Sequence, residues 1–270
     1  VIYDDQSHRL DILLCLNGLP VATAELKNPF TGQDWTHAIK QYKEDRDSRN
    51  PLFRFKRGAL VHFAIDPYEV HMTTRLEDSE TFFLPFNKGR DGGSGNPNNP
   101  NGYRTSYLWE QIWQKDSWLD IIGSFIDHQI EPAKPPAPPE ERIVFPRYHQ
   151  LEAVRKLTSA TKQTGTGENY LVEHSTGSGK SMTIAWLAYK LFSLHDENDE
   201  AIFDNVLILS DRIVLVNQLA DTVKQFEKTE GVVKRVDDSD ELANIPEDEQ
   251  LRLAKEESNN NWEEVKSSYN

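Results

Sequence analysis

Cysteine is nearly absent: Cys15 is the only one in 270 residues, so an internal disulfide framework is excluded. No apolar run is long enough to span a bilayer, and the start lacks a basic region followed by an apolar stretch and a small-residue cleavage site. These absences predict a cytoplasmic protein without membrane contact. Cations are also in deficit, 30 Lys and Arg against 44 Asp and Glu, for a formal charge of −14. That excludes a passive DNA-coating protein, which holds phosphates with surplus Lys and Arg, but not an enzyme with a local basic channel. The acidity is uneven, concentrated in 196–204 and 237–264, while Lys40 to Arg57 is richer in cations. Glu44, Asp45 and Asp47 interrupt that stretch, so on charge alone it reads as a solvated helix face. No repeat of solenoid period is present.

What remains is ordinary globular material, 37% hydrophobic and 27% charged, in a chain long enough for two domains. Residues 9–28 alternate as a hairpin, 58–74 read as two more short strands, and 89–102 form a loop with no apolar residue to bury. From Leu108 to Ile130 apolar residues recur at helical spacing, with Asp116 or Ser117 placed to cap the second of two helices. Pro132, Pro135, Pro136, Pro138 and Pro139 then make a semi-rigid extended spacer. Beyond it the pattern predicts a helix near 147–160, a strand at 170–174, a glycine-rich turn, a helix at about 180–194, a strand at 205–210 and a helix at 212–227. That order is an α/β parallel-sheet pattern. The expected division is therefore 1–131, a linker at 132–141, and 142–270.

The glycine-rich turn carries the first chemistry. Thr176-Gly177-Ser178-Gly179-Lys180-Ser181 lies between the expected strand and helix. Glycines let backbone N–H groups turn inward around phosphate oxygens, and the helix N-terminus adds its positive end. Lys180 would then reach the β/γ-phosphates and the Ser181 hydroxyl would ligate Mg²⁺. His174 stands where the strict phosphate-loop pattern has a glycine, so the motif is a variant.

The hairpin carries the second. Asp11 stands on one strand, and Glu25 and Lys27, one residue apart, share a face of the other. A three-residue turn at Asn17-Gly18-Leu19 would pair position 11 with position 25 and bring the three polar groups together. The other face, Leu10, Ile12, Leu14, Leu16, Ala22, Ala24 and Leu26, is wholly apolar and expected to pack on a core. Two carboxylates so placed suit Mg²⁺, which takes one or two carboxylates plus waters and a substrate phosphate. Taken alone, the pattern fits an exposed hairpin face with an ordinary cross-strand ion pair better than a metal site.

The TGSGKS form resembles motif I of superfamily 2 helicases and translocases. Gln150, in Arg147-Tyr148-His149-Gln150, is similar to that superfamily's adenine-reading glutamine. The run Asp211 to Gln218 is similar to its next motif, so Asp211, Arg212 and Gln218 become candidates for contact with the nucleic-acid backbone. Asp11, Glu25 and Lys27 resemble the PD-(D/E)xK nuclease constellation. Together with ELKNPFTGQ, AIKQYKEDR, FKRGALVHFAIDPYEVHMTTRL, FFLPFNKG and TSYLWEQIWQKDSWLDII, the motifs resemble the R (restriction) subunit of type I restriction endonucleases.

The resemblance implies a PD-(D/E)xK α/β nuclease domain at 1–131, without its N-terminal start. It implies a first RecA-like motor domain at 142–270 that ends after motif Ia. It implies ATP and Mg²⁺ as cofactors, double-stranded DNA as substrate, and modification and specificity subunits as partners. Catalysis falls to Asp11, Glu25 and Lys27, with Asp11 and Glu25 on the nuclease Mg²⁺. Gln41 is a further candidate, although Gln41 and Tyr42 are adjacent rather than in the family's Q-x3-Y spacing. The chain ends before the acidic motif that holds the nucleotide's Mg²⁺ and before a second motor domain, so negligible ATPase is expected of these 270 residues alone. Two alternatives stand beside this reading: an ATP-dependent helicase or translocase with an inactive nuclease-like domain, and a non-catalytic remnant of such a protein.

Overall fold

The computed structural model describes residues 1–3, 8–131, 139–210, 213–226, 233–236 and 251–255. They form two compact units, Val1–His149 and Gln150–Asn270, both mixtures of helix and sheet.

The first unit is built on a five-stranded sheet of order β1-β2-β3-β4-β5, comprising β1 (Ile12–Leu16), β2 (Leu19–Leu26), β3 (Val61–Ile65), β4 (Val70–Thr73) and β5 (Leu84–Pro85). The β1–β2, β3–β4 and β4–β5 pairs are antiparallel, whereas β2 and β3 are parallel. A parallel pair needs a crossover, which α1 (Trp35–Glu44) supplies. Asp34 starts this helix, accepting from the Thr36 N–H at 3.0 Å while His37 Nδ1 accepts from the Asp34 N–H, a reciprocal cap. One core gathers Leu10, Ala38, Tyr42, Phe53, Ala64 and Phe83.

The hairpin reaches its expected register by another route. The turn has two residues, Asn17 and Gly18, both at positive φ, so Leu16 faces Leu19 and Cys15 faces Pro20. An irregularity between Leu14 and Cys15 absorbs Val21, after which Leu14 faces Ala22 and Ile12 faces Ala24. Continuing that register sets position 11 against 25.

Three other expectations change. The second helix, α2 (Lys115–Ser124), starts from Gln114 with no side-chain cap, and Asp116 sits inside its first turn. The loop at 89–102 has no regular structure but is pinned by a polar residue. Asn96 is 1% exposed, accepts from the Lys88 N–H at 2.8 Å, and donates to the Tyr68 carbonyl at 2.9 Å. The first unit also continues past the proline-rich segment, most of which lies outside the described residues. Strand β6 (Asp127–Glu131) pairs antiparallel with β7 (Glu140–Val144), and Phe145 and Tyr148 pack on Phe86.

The second unit holds α3 (Tyr148–Thr164), which begins just before the division, α4 (Lys180–Phe192), β8 (Val206–Ser210), α5 (Ile213–Gln225), β9 (Val233–Val236) and β10 (Leu251–Lys255). Its sheet is parallel, of order β8-β10-β9, with Ala185, Ala188, Leu219, Ala220 and Val223 at the core beneath it. Strand β10 falls within the stretch that composition marks as acidic. The strand expected at 170–174 does not form: Leu171 is 93% exposed and no described strand pairs with the segment. A strand exists through its ladder to a neighbour, so an apolar run without one stays extended coil. No helix among the described residues is long and apolar enough to cross a membrane.

Candidate functional site

The end of β2 is where the sequence's first candidate set meets. Glu25 faces Ala64 of β3 in register and is 1% exposed. Both faces of β2 are therefore covered, rather than one. Thr23 and Glu25 lie on the side of α1, where Thr23 Oγ1 meets the Tyr42 hydroxyl at 2.8 Å and His62 Nδ1 at 2.7 Å. On the other side Ala22 and Ala24 are fully buried, whereas Leu26 is exposed. Asp11 is exposed, and its Oδ2 accepts from the Leu26 N–H at 2.8 Å. The Lys27 N–H donates to the Ile65 carbonyl at 2.8 Å and extends the β2–β3 ladder, while its Nζ donates to Gln41 Oε1 at 2.5 Å. Gln41 thus joins the site through Lys27, and its neighbour Tyr42 turns into the core, fully buried.

Sequence reasoning missed Arg46. Within the stretch read as a solvated face, this residue goes inward: it is 4% exposed. Its Nε donates to Glu25 Oε1 at 2.8 Å, joined by Nη2, which also donates to the Arg9 carbonyl at 2.8 Å. No pattern in the sequence separates it from Arg49, which pairs with Asp47 at the surface.

Burial pushes the Glu25 carboxyl up to about 7; Arg46 pulls it down, the Asp11 charge pushes it up, and Lys27 pulls it down. His62, buried beside Thr23, is pushed down to about 3 by loss of solvent and is neutral at ordinary pH. Among the described residues no cluster of three or more His, Cys, Asp or Glu side chains is placed to hold a metal ion. The available donors are the two carboxylates Asp11 and Glu25, close enough to feel each other's charge. Two carboxylates completed by waters and a substrate oxygen are what Mg²⁺ ordinarily accepts, so the set fits that ion.

The second candidate set lies at the start of α4. Gly177 and Gly179 take φ values of +75° and +83°, the left-handed turn a phosphate loop needs. Lys180 Nζ donates to the Ser175 and His174 carbonyls at 2.8 and 3.2 Å, folding over the loop. Thr176 and Gly177 are exposed, Ser178 is buried and Ser181 is half-buried in the first turn. Gln150, expected at an adenine edge, instead donates its amide to the Gly179 carbonyl at 3.0 Å. A Cβ on Gly179 would meet that amide nitrogen at 2.5 Å. Asp211 and Arg212 lie outside the described residues; Gln218 is exposed on α5. A glycine turn feeding a 13-residue helix presents N–H groups and a positive dipole end, the requirements for an anion.

Comparison with known proteins gives the two regions separate family matches. Residues 1–81 match the family described as "Type I restriction enzyme R protein N terminus", and residues 143–264 match "Type III restriction enzyme, res subunit". Similar proteins include the type I restriction enzyme SauCOLORF180P endonuclease subunit of Staphylococcus aureus strain COL, 26% identical over 256 residues, covering 93% of this chain and 24% of that one. Another is the SsaAORF53P endonuclease subunit of Staphylococcus saprophyticus, 25% identical over 252 residues, covering 93% and 24%. The HindI endonuclease subunit of Haemophilus influenzae is 24% identical over 243 residues, covering 87% and 22%. The chain thus spans about a quarter of the length of these relatives. No solved structure matches it.

Proposed function

We propose that the chain is part of an R subunit of a type I restriction enzyme, which cuts unmodified double-stranded DNA, and that it carries part of an ATP-driven translocase; the two family matches and the similar endonuclease subunits support this reading. The proposal includes Mg²⁺ and ATP as cofactors, modification and specificity subunits as partners, and the cytoplasm as location. Its domains would be a PD-(D/E)xK nuclease and a RecA-like motor.

The observation that carries the reading is the convergence of Asp11, Glu25 and Lys27 at the end of β2, with Gln41 on the Lys27 ammonium. Asp11 and Glu25 would hold Mg²⁺, whose chemistry there would be to acidify a bound water and offset charge on the scissile phosphate. Lys27, held by Gln41, presents its ammonium to the phosphate oxygens and the incoming water. Arg46 anchors Glu25 from behind, fixing the carboxylate's direction. Burial holds the Glu25 carboxyl up at about 7, so part of it is protonated at neutral pH. In the second unit, the Gly177–Gly179 turn and Lys180 would cradle nucleotide phosphates, and Ser181 would meet the nucleotide's Mg²⁺.

One observation favours a second reading, a translocase with an inert nuclease-like domain: Glu25 is buried and already ion-paired to Arg46. Plasmid cleavage by a type I complex whose R subunit carries this sequence separates the two. Cutting of unmodified plasmid that needs both ATP and Mg²⁺ is expected. ATP hydrolysis without cutting, under every divalent ion tried, would select the second reading.

A further inference from the structure

Three aromatic rings stand in water on one side of the first unit: Phe30 is 96% exposed, Tyr68 50% and Tyr103 57%. They line one groove of about 780 Å³, together with Arg104 and the Asn98–Pro100 segment. Leaving a phenylalanine in solvent forfeits the free energy its burial would give, so the turn that holds it there is informative. That turn is rigid. The Phe30 N–H donates to Asn28 Oδ1 at 3.0 Å, Thr31 Oγ1 donates to the Asn28 carbonyl at 2.7 Å, and Gly32 closes it at φ +73°.

The other walls are fixed as well. The Tyr68 N–H donates to Asp66 Oδ1 at 2.7 Å, the Arg104 N–H donates to the Pro67 carbonyl at 3.0 Å, and the Arg104 guanidinium sits 5.4 Å from the Tyr68 ring centre. Asn99 donates to the Tyr103 carbonyl at 3.1 Å. The groove is therefore preformed rather than assembled on contact.

Its chemistry selects an occupant. In a chain of net charge −14 the lining contains no carboxylate and no aliphatic side chain, only rings, prolines, a glycine, asparagine amides and one guanidinium. Rings offer planes on which any nucleobase stacks, amides offer donors and acceptors to base edges, and a guanidinium offers a phosphate contact. Position agrees with this. Strands β2 and β3 run parallel and end together at Leu26 and Ile65, and Phe30 follows Lys27 by three residues while Tyr68 follows Ile65 by three.

The geometry points to a DNA-strand groove in which Phe30, Tyr68 and Tyr103 stack unpaired bases, with Arg104 on the backbone, beside the phosphate presented to Asp11, Glu25 and Lys27. Its placement at a cleaved strand rests on the nuclease reading; its binding of bases does not. The test is fluorescence anisotropy of a labelled oligothymidylate titrated with the full chain in chelator, against an abasic strand of the same length. Phe30→Ala and Tyr103→Ala should each weaken oligothymidylate binding about tenfold, Phe30→Trp should restore it, and the abasic strand, which loses every stack, should bind the wild type more weakly than oligothymidylate binds either alanine variant. Equal binding of both strands, unchanged binding by the alanine variants, or no binding by the wild type would overturn the groove. The nuclease reading fails separately: Glu25→Gln that still cuts DNA in the assembled complex refutes it and leaves the base-dependent binding standing.

Discussion

The two units hold their chemistry in opposite ways. In the first, the candidate groups come from a hairpin, the following helix and the turn after it, and every one is fixed by a hydrogen bond at 2.8 Å or less: Asp11 to Leu26, Lys27 to Gln41, Glu25 to Arg46. In the second, the loop before α4 has its glycine turn and helix, but the segment leading into it is coil and Lys180 rests on its own loop's carbonyls. The difference follows from contact range. A hairpin closes on its neighbours in sequence, whereas a parallel sheet needs strands separated by whole helices. A site made of local contacts can be complete within a short stretch; a phosphate loop depends on the sheet that carries it.

Breaking the first unit's site should have the largest effect. In an assembled type I complex whose R subunit carries this sequence, Lys27→Ala is expected to lower DNA cleavage at least about a hundredfold while leaving ATP hydrolysis unchanged, checked by plasmid cutting and phosphate release in one preparation. Next comes the buried pair. Arg46→Met leaves Glu25 uncompensated and should cost about 3 kcal/mol at pH 8 in denaturant unfolding. The loss should be roughly half that at pH 5, where Glu25 is already neutral in the fold. Equal losses at both pH values would show that Arg46 acts by packing alone.

The pH dependence of the native chain sharpens the same point. Folding raises Glu25 from its ordinary 4.5 to about 7, so its contribution is present below 4.5 and lost as pH rises through 7. Glu25→Gln removes that loss, so the variant should gain on wild type between pH 5 and pH 8 by at most about 3 kcal/mol. In the second unit, Gly179→Ala forces a Cβ against Gln150 and a left-handed backbone on alanine. It should cost about 1–2 kcal/mol and lower nucleotide affinity in a fluorescent-ATP titration. The smallest effect belongs to Phe30→Ala, expected to change unfolding free energy by less than about 0.5 kcal/mol, because the ring touches mostly water.

The contrast also explains what was legible in the sequence. The hairpin, the phosphate-loop turn and the helices after it follow from period and apolar spacing, all local signals, whereas the hairpin's two-residue turn and the irregularity between Leu14 and Cys15 that restores its register were not legible. Arg46 was not legible, because its burial depends on Arg9 and Glu25 arriving from another element. Asn96 anchors a loop that hydropathy marks as solvent, since a buried amide with partners looks the same in sequence as an exposed one. The segment at 170–174 failed for the converse reason: its apolar residues favour a strand, but a strand also needs a neighbour.

The central claim is that the end of β2 is the cutting centre, and Glu25→Gln in an assembled type I complex tests it most directly, with cleavage and ATP hydrolysis read from the same reaction. Loss of cleavage with ATP hydrolysis at the wild-type rate is the predicted result. Cleavage that persists at the wild-type rate would contradict the account and reduce the Asp11–Glu25–Lys27 arrangement to a structural feature of the hairpin.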